Sequence, residues 1–82
     1  MGIDHRKALD YASAGKWEEA HTLVQSYSDR ISCLIHGYLH RVEGDMGNAR
    51  YWYQRANEDL PGDTLEEEFA RLSRLVDSIS AA

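Results

Sequence analysis

Gly44-Asp45-Met46-Gly47-Asn48-Ala49-Arg50-Tyr51-Trp52-Tyr53-Gln54-Arg55-Ala56-Asn57-Glu58-Asp59-Leu60-Pro61 is the stretch whose reading decides the fold. A glycine-aspartate turn opens it, Ala49, Tyr53 and Ala56 share one helical stripe, and a proline that cannot continue a helix closes it. The pattern predicts the second helix of a helical hairpin. An earlier copy of the phrase, Gly15-Lys16-Trp17-Glu18-Glu19-Ala20, is followed by Val24 and Tyr27. Gly15 to Gly44 and Ala20 to Ala49 are both steps of 29 residues. Repetition at such a period predicts stacked helix pairs, because one pair alone cannot bury its apolar face.

These residues resemble the tetratricopeptide repeat family, whose units are pairs of antiparallel helices. In the second unit the resemblance rests on Gly44-Asp45, Ala49, Tyr53, Ala56 and Pro61, with Gly37 at the family's small position in the preceding helix. In the first unit it rests on Ala8, Tyr11, Gly15, Ala20 and Tyr27. It implies an all-α fold of stacked antiparallel hairpins, with units at about residues 3–29 and 30–61 and a C-terminal capping helix at about 64–79. It also implies a small interaction domain whose concave groove is lined by His5, Leu9, Ala12, Leu34, Tyr38 and Arg41. The sequence departs from the family in three ways. Its period is shorter than the family's roughly 34 residues, the first unit lacks a closing proline, and His36 and His40 stand where the family places a large apolar residue and an aromatic one. The lysine and asparagine pattern that clamps carboxylate-terminated peptides in some members is absent, since Leu34 and Tyr38 occupy two of its positions. An apolar or amphipathic peptide or protein segment is the expected partner.

A chain of 82 residues makes one domain, and a domain of this size hides only about 60 to 65% of its unfolded surface. Stability is therefore expected to be marginal, and self-association would add to it. The formal charge of −5, with no lysine or arginine cluster, argues against nucleic acid and against an acidic membrane, and favours a neutral or basic partner. Cys33 is the one cysteine, so no intramolecular disulfide is available, and the first residues lack an apolar signal core. A cytoplasmic setting is expected. Gly2 suggests acylation, but Arg6 stands where that motif wants serine or threonine.

In chain order, Asp4 is suited to cap a first helix reaching Ala14, with Ala8, Tyr11 and Ala12 inward and Gly15 stopping it. Trp17, Ala20, Val24 and Tyr27 set the inward face of the second helix. Ser28 or Asp29 caps the third, which is apolar over more than one stripe, as a helix with neighbours on several sides must be. The fourth runs from about Gly47 to Asp59. Asp63-x-x-Glu66 and Thr64-x-x-Glu67 are overlapping capping boxes for the last helix. Its seam of Leu65, Phe69, Leu72, Val76 and Ile79 faces the stack or a second copy of the chain, and Glu67 is placed to pair with Arg71.

The feature foreign to ordinary repeat chemistry is His36-Gly37-Tyr38-Leu39-His40-Arg41. Histidines four apart project from one helix face, where both imidazoles can bind one transition metal. His21, on the preceding helix, is the candidate third ligand, and Glu43 or Asp45 can offer an oxygen. The plainer alternative makes His36 and His40 neutral core residues hydrogen-bonded to Tyr51, Tyr53 or Gln54. In Tyr51-Trp52-Tyr53 the residues lie about 100° apart around the helix, so they cannot all face the core. Trp52 is then either a binding anchor or packed against the last helix. Cys33 reads as a small buried hydrophobe, and no nucleophile, phosphate-cradling loop or catalytic carboxylate pair is marked. Catalysis is not expected, and no cofactor is indicated beyond a transition metal. The leading expectation is thus an interaction domain with Leu9, Leu34, Tyr38, Arg41 and Trp52 as partner-binding residues. The alternative is a small-molecule or metal site around His21, His36 and His40.

Overall fold

Helix starts follow the local capping chemistry in this computed structural model, which describes residues 3–80. Acylation at Gly2 and the end of the chain at Ala81-Ala82 lie outside those residues. Five helices are present among them: α1 (His5–Ser13), α2 (Trp17–Val24), α3 (Arg30–Glu43), α4 (Met46–Arg55) and α5 (Leu65–Ser80). The Asp4 carboxylate accepts from the Lys7 N–H at 3.0 Å, and Asp29 accepts from Ser32 at 3.1 Å. One of the two capping boxes forms. The Glu67 N–H donates to the Thr64 hydroxyl at 3.0 Å, while the Thr64 N–H donates to the Glu67 carboxylate at 2.9 Å. The overlapping box is not used, because Asp63 accepts from the Arg41 guanidinium, through its carboxylate at 2.9 Å and its carbonyl at 2.6 Å.

Two helices stop short of the expected positions. α2 ends at Val24 rather than Tyr27, and Lys16, which precedes its first turn, gives it no side-chain cap. α4 ends at Arg55 rather than Asp59 because Asn57 takes φ +63°, a left-handed turn asparagine tolerates, so the helix stops before the proline is reached. Between α3 and α4, Gly44 at φ +85° turns the chain, and the Gly44 and Asp45 N–H groups satisfy the carbonyls of Arg41 and His40.

The helices pair as α1 with α2 and α3 with α4, and α3 packs against all four of the others. Every residue from Ser32 to Arg41 is buried, which is the physical reason for the wide apolar surface read from the sequence. Leu9, Val24, Leu34, Ile35, Leu39, Tyr53, Leu72 and Val76 form the centre of one core. Gly37 lets α4 approach: a Cβ there would sit 2.7 Å from a ring carbon of Tyr53.

The position of α5 corrects the groove expectation. This helix rests on α1 and α3, the two helices expected to line a groove, and meets α4 through side chains only. Leu9 and Leu34 are fully buried, Tyr38 and Arg41 nearly so. Tyr38 packs toward Phe69 with ring centroids 6.0 Å apart. Arg6 of α1 donates to the Ser73 carbonyl at 3.2 Å and to Asp77 at 2.8 Å. The seam of α5 is spent largely within the chain, with Leu72 and Val76 buried and Ile79 exposed. The pair of Glu67 with Arg71 does not form. Arg71 instead holds the fully buried Glu68 at 2.7 Å and Glu58 at 3.0 Å, and Glu68 accepts from the Tyr53 hydroxyl at 2.6 Å. Arg30 also binds Glu58. Among the described residues no helix is long and apolar enough to cross a membrane.

Candidate metal centre

The one-turn spacing of His36 and His40 puts both imidazoles on the side of α3 that meets α2, and His21 of α2 faces them. Ring centroids lie 4.6 Å apart for His21 and His36, 5.3 Å for His21 and His40, and 5.0 Å for His36 and His40. One nitrogen from each falls within 4.8 Å of the other two. Ligand nitrogens around a tetrahedral zinc ion lie about 3.4 Å apart, so the three rings would have to draw together to share an ion.

Two indoles wall the cluster. Trp17 stacks on His21 at 4.7 Å with an interplanar angle of 11°, and its N–H donates to the Leu39 carbonyl of α3 at 2.6 Å. Trp52 stacks on His36 at 3.8 Å and 12°. Its partner is thus the imidazole rather than the last helix. The remaining wall is polar: His40 Nδ1 donates to the Glu43 carboxylate at 2.6 Å. In a metal-bound ring that contact would put the proton on Nδ1 and leave Nε2 as the ligand atom, the arrangement by which an outer carboxylate orients a metal-binding histidine.

His36 is 3% exposed, and its Nδ1 is buried without a hydrogen-bond partner among the described residues. Such orphaned polar atoms are uncommon because an unmet bond in the interior carries the full cost of desolvation. Burial, reinforced by His21, His40 and the Arg55 guanidinium, pushes the His36 pKa down to about 3. Burial, then His40, also lowers the pKa of His21, against the opposing charges of Glu43 and Glu18. Both rings are therefore neutral at physiological pH. Neutral imidazole is the state a metal requires.

The plainer alternative places His36 and His40 in the core, where both are buried, but the hydrogen bonds to Tyr51 or Tyr53 that it expects go elsewhere. The Tyr53 hydroxyl donates to Glu68, the Tyr51 hydroxyl accepts from Arg55, and His36 meets α4 through the face of Trp52. The two oxygen donors considered from the sequence are both in use. Glu43 belongs to His40, and Asp45 caps α4 by accepting from the Asn48 backbone and side chain at 3.3 and 3.0 Å. Of the residues read as partner-binding, Leu9, Leu34, Tyr38 and Arg41 lie in the core or beneath α5, and Trp52 belongs to the histidine cluster. Trp17 went unread as part of the site, although Trp17 and His21 are four apart on one helix and so share a face.

The structure also brings together His5, Asp29 and Ser32, a residue set familiar from nucleophilic catalysis. A relay needs the two imidazole nitrogens divided between carboxylate and hydroxyl. Here His5 Nε2 alone faces both, Asp29 at 2.8 Å and Ser32 at 3.2 Å, while the Ser32 hydroxyl donates to Asp29 at 2.7 Å. The cluster is the cap of α3. Cys33 is buried and its thiol pKa is raised by that burial, which makes it unreactive. Comparison of the chain with family models, with curated proteins and with solved structures found no match.

Proposed function

We propose that this is a small helical metal-binding protein in which His21, His36 and His40 hold one divalent transition ion. The observation that carries the proposal is the convergence of three imidazoles, one nitrogen of each within 4.8 Å of the others, with a buried His36 nitrogen beside them that has no hydrogen-bond partner among the described residues. A shell of imidazole nitrogens without thiolate suits zinc, copper or nickel and is poorly matched to magnesium or calcium. Glu43 acts from the outer shell by holding His40. The ion would join α2 to α3 across the interior, in the cytoplasmic setting read from the sequence.

Native mass spectrometry and zinc calorimetry on untagged protein test the proposal. One ion per chain is expected, lost in the His36→Ala, His40→Ala double variant. Glu43→Gln, at an exposed carboxylate, is expected to weaken zinc about 10- to 100-fold while the fold persists. Absence of binding by the folded wild-type chain would sink the proposal.

A second reading, an interaction domain for a peptide or for another copy of the chain, draws support from a different place. A cleft of about 440 Å³ lies between α1, α3 and α5, lined by Ala12, Tyr38, Val42, Leu65 and Phe69. It is apolar enough to take a short amphipathic segment.

A further inference from the structure

We infer that Trp17 is the positioning residue of this site: its indole holds His21 against α3 before any ion arrives, so the one ligand from outside α3 already faces the other two. The inference rests on the metal-binding reading above. His36 and His40 share one face of a single helix, and the geometry of that helix keeps them together. His21 has no such tie. It stands on α2, a helix of 8 residues whose start has no side-chain cap. A helix this short is not stable by itself, so the place of His21 depends on what fastens α2 to its neighbours.

Trp17 supplies that fastening through contacts to both helices. It lies one turn before His21, and its indole is flat against the imidazole, with centroids 4.7 Å apart and an interplanar angle of 11°. Its N–H reaches out of α2 and donates at 2.6 Å to the carbonyl of Leu39, the residue that precedes His40. The same indole meets the His40 ring edge-on at 5.8 Å and 65°. The stack thus carries His21, and the hydrogen bond fixes the stack to the helix that bears the other two ligands. Trp52 differs, because it stacks on His36, a ring that α3 already places. A ligand held in position beforehand spares the ion the entropy of ordering it. Trp17 therefore acts on affinity through His21, and its effect requires that His21 be present.

Copper(II) serves as the probe because it stands highest among the divalent ions for such donors, so the two imidazoles left on α3 still hold it when His21 is removed. Its affinity would be measured by competition with glycine for the untagged wild type, Trp17→Phe, His21→Ala and the double variant. Trp17→Phe keeps an aromatic face but has no N–H to donate. It is expected to weaken copper about tenfold, at the low end of what outer-shell partners contribute. The same substitution made in His21→Ala is expected to change nothing. In the metal-free wild type, the Trp17 indole N–H is expected to exchange with solvent more slowly than free indole. Unchanged affinity in Trp17→Phe, or exchange at the free rate, would overturn the inference while the metal site stands. An equal loss in both backgrounds would also overturn it and reduce Trp17 to ordinary packing. The exchange measurement decides alone if Trp17→Phe fails to fold or His21→Ala releases copper altogether. Failure of the folded wild type to bind copper would instead overturn the metal reading itself, and this inference with it.

Discussion

Gly37 carries the tightest approach between α3 and α4, and its substitution separates packing from propensity. Alanine at a helical glycine gains up to about 1 kcal/mol of intrinsic helix stability. Here the added Cβ would meet two Tyr53 ring carbons at 2.7 and 2.8 Å and the Ala49 carbonyl at 3.2 Å. Tyr53 has no room to yield, being fully buried and bound through its hydroxyl to Glu68. Overpacking costs about 1–3 kcal/mol, so Gly37→Ala is expected to lower the urea midpoint by the equivalent of about 1 kcal/mol. An equal or higher midpoint would show that Tyr53 moves. Trp52 is the other informative single position. Trp52→Ala removes the stacked face from His36, and zinc calorimetry is expected to show weaker binding through a loosened ring, with one ion per chain retained.

α5 is held by a buried charge network as well as by its apolar seam. Glu68 is fully buried and accepts from both Tyr53 and Arg71, and Arg71 also reaches Glu58. The carboxylate raises the Arg71 pKa and that of Tyr53 as well, although for Tyr53 burial is the larger cause. Glu68→Ala leaves the buried Tyr53 hydroxyl without its acceptor, a loss of about 1–3 kcal/mol, while Arg71 keeps Glu58. Denaturation together with hydrogen exchange should show α5 losing protection first, and Glu68→Gln should cost less because an acceptor for Tyr53 remains. Wild-type protection along α5 in Glu68→Ala would refute the role. At this scale the sequence was legible where interactions are local. The caps at Asp4, Asp29 and Thr64 formed as read because each is settled within three residues. Glu68 was missed because three consecutive glutamates at a helix start read as compensation of the helix dipole. Its register, three beyond Leu65 and four before Leu72, was the available sign that it faces inward. The site was half legible for the same reason. Spacing alone joins His36 to His40, whereas the facing of His21, the stacking of two indoles and the orphaned nitrogen depend on how α2 and α4 settle on α3. The rest of α5 across α1 and α3 was not legible, because the link between α4 and α5 leaves the helix free to pack on either side.

Across the whole molecule, metal and proton are expected to act on stability in opposite directions. A chain of this length hides a smaller share of its surface than a larger domain does, so the state of one buried imidazole weighs heavily. His36 has a folded pKa of about 3, against about 6.5 in the unfolded chain. The unfolded state therefore takes up a proton that the folded state refuses. Its stabilising contribution is complete above pH 6.5 and declines by up to about 1.4 kcal/mol for each pH unit below that. The metal-free protein is expected to lose about 1.4 kcal/mol between pH 7.5 and 5.5. Asp29 and Asp45, whose pKa values are lowered, add to the loss only near and below their ordinary value of 3.8. Denaturation of the apo protein at the two pH values checks the sign, and equal midpoints would mean that His36 is not held neutral. Zinc works the other way, since an ion bound only by the folded state stabilises it by about 2.7 kcal/mol at a hundred times its dissociation constant. For a domain of this size that is a rise in Tm of about 10–20 °C, reversed by a chelator. The increment should vanish in His36→Ala, His40→Ala and shrink strongly in His21→Ala. That variant leaves two ligands on α3 but no link to α2, a short helix without a side-chain cap. If His21→Ala kept the full increment, the ion would sit on α3 alone, and the coupling of the two helices through the metal would be lost.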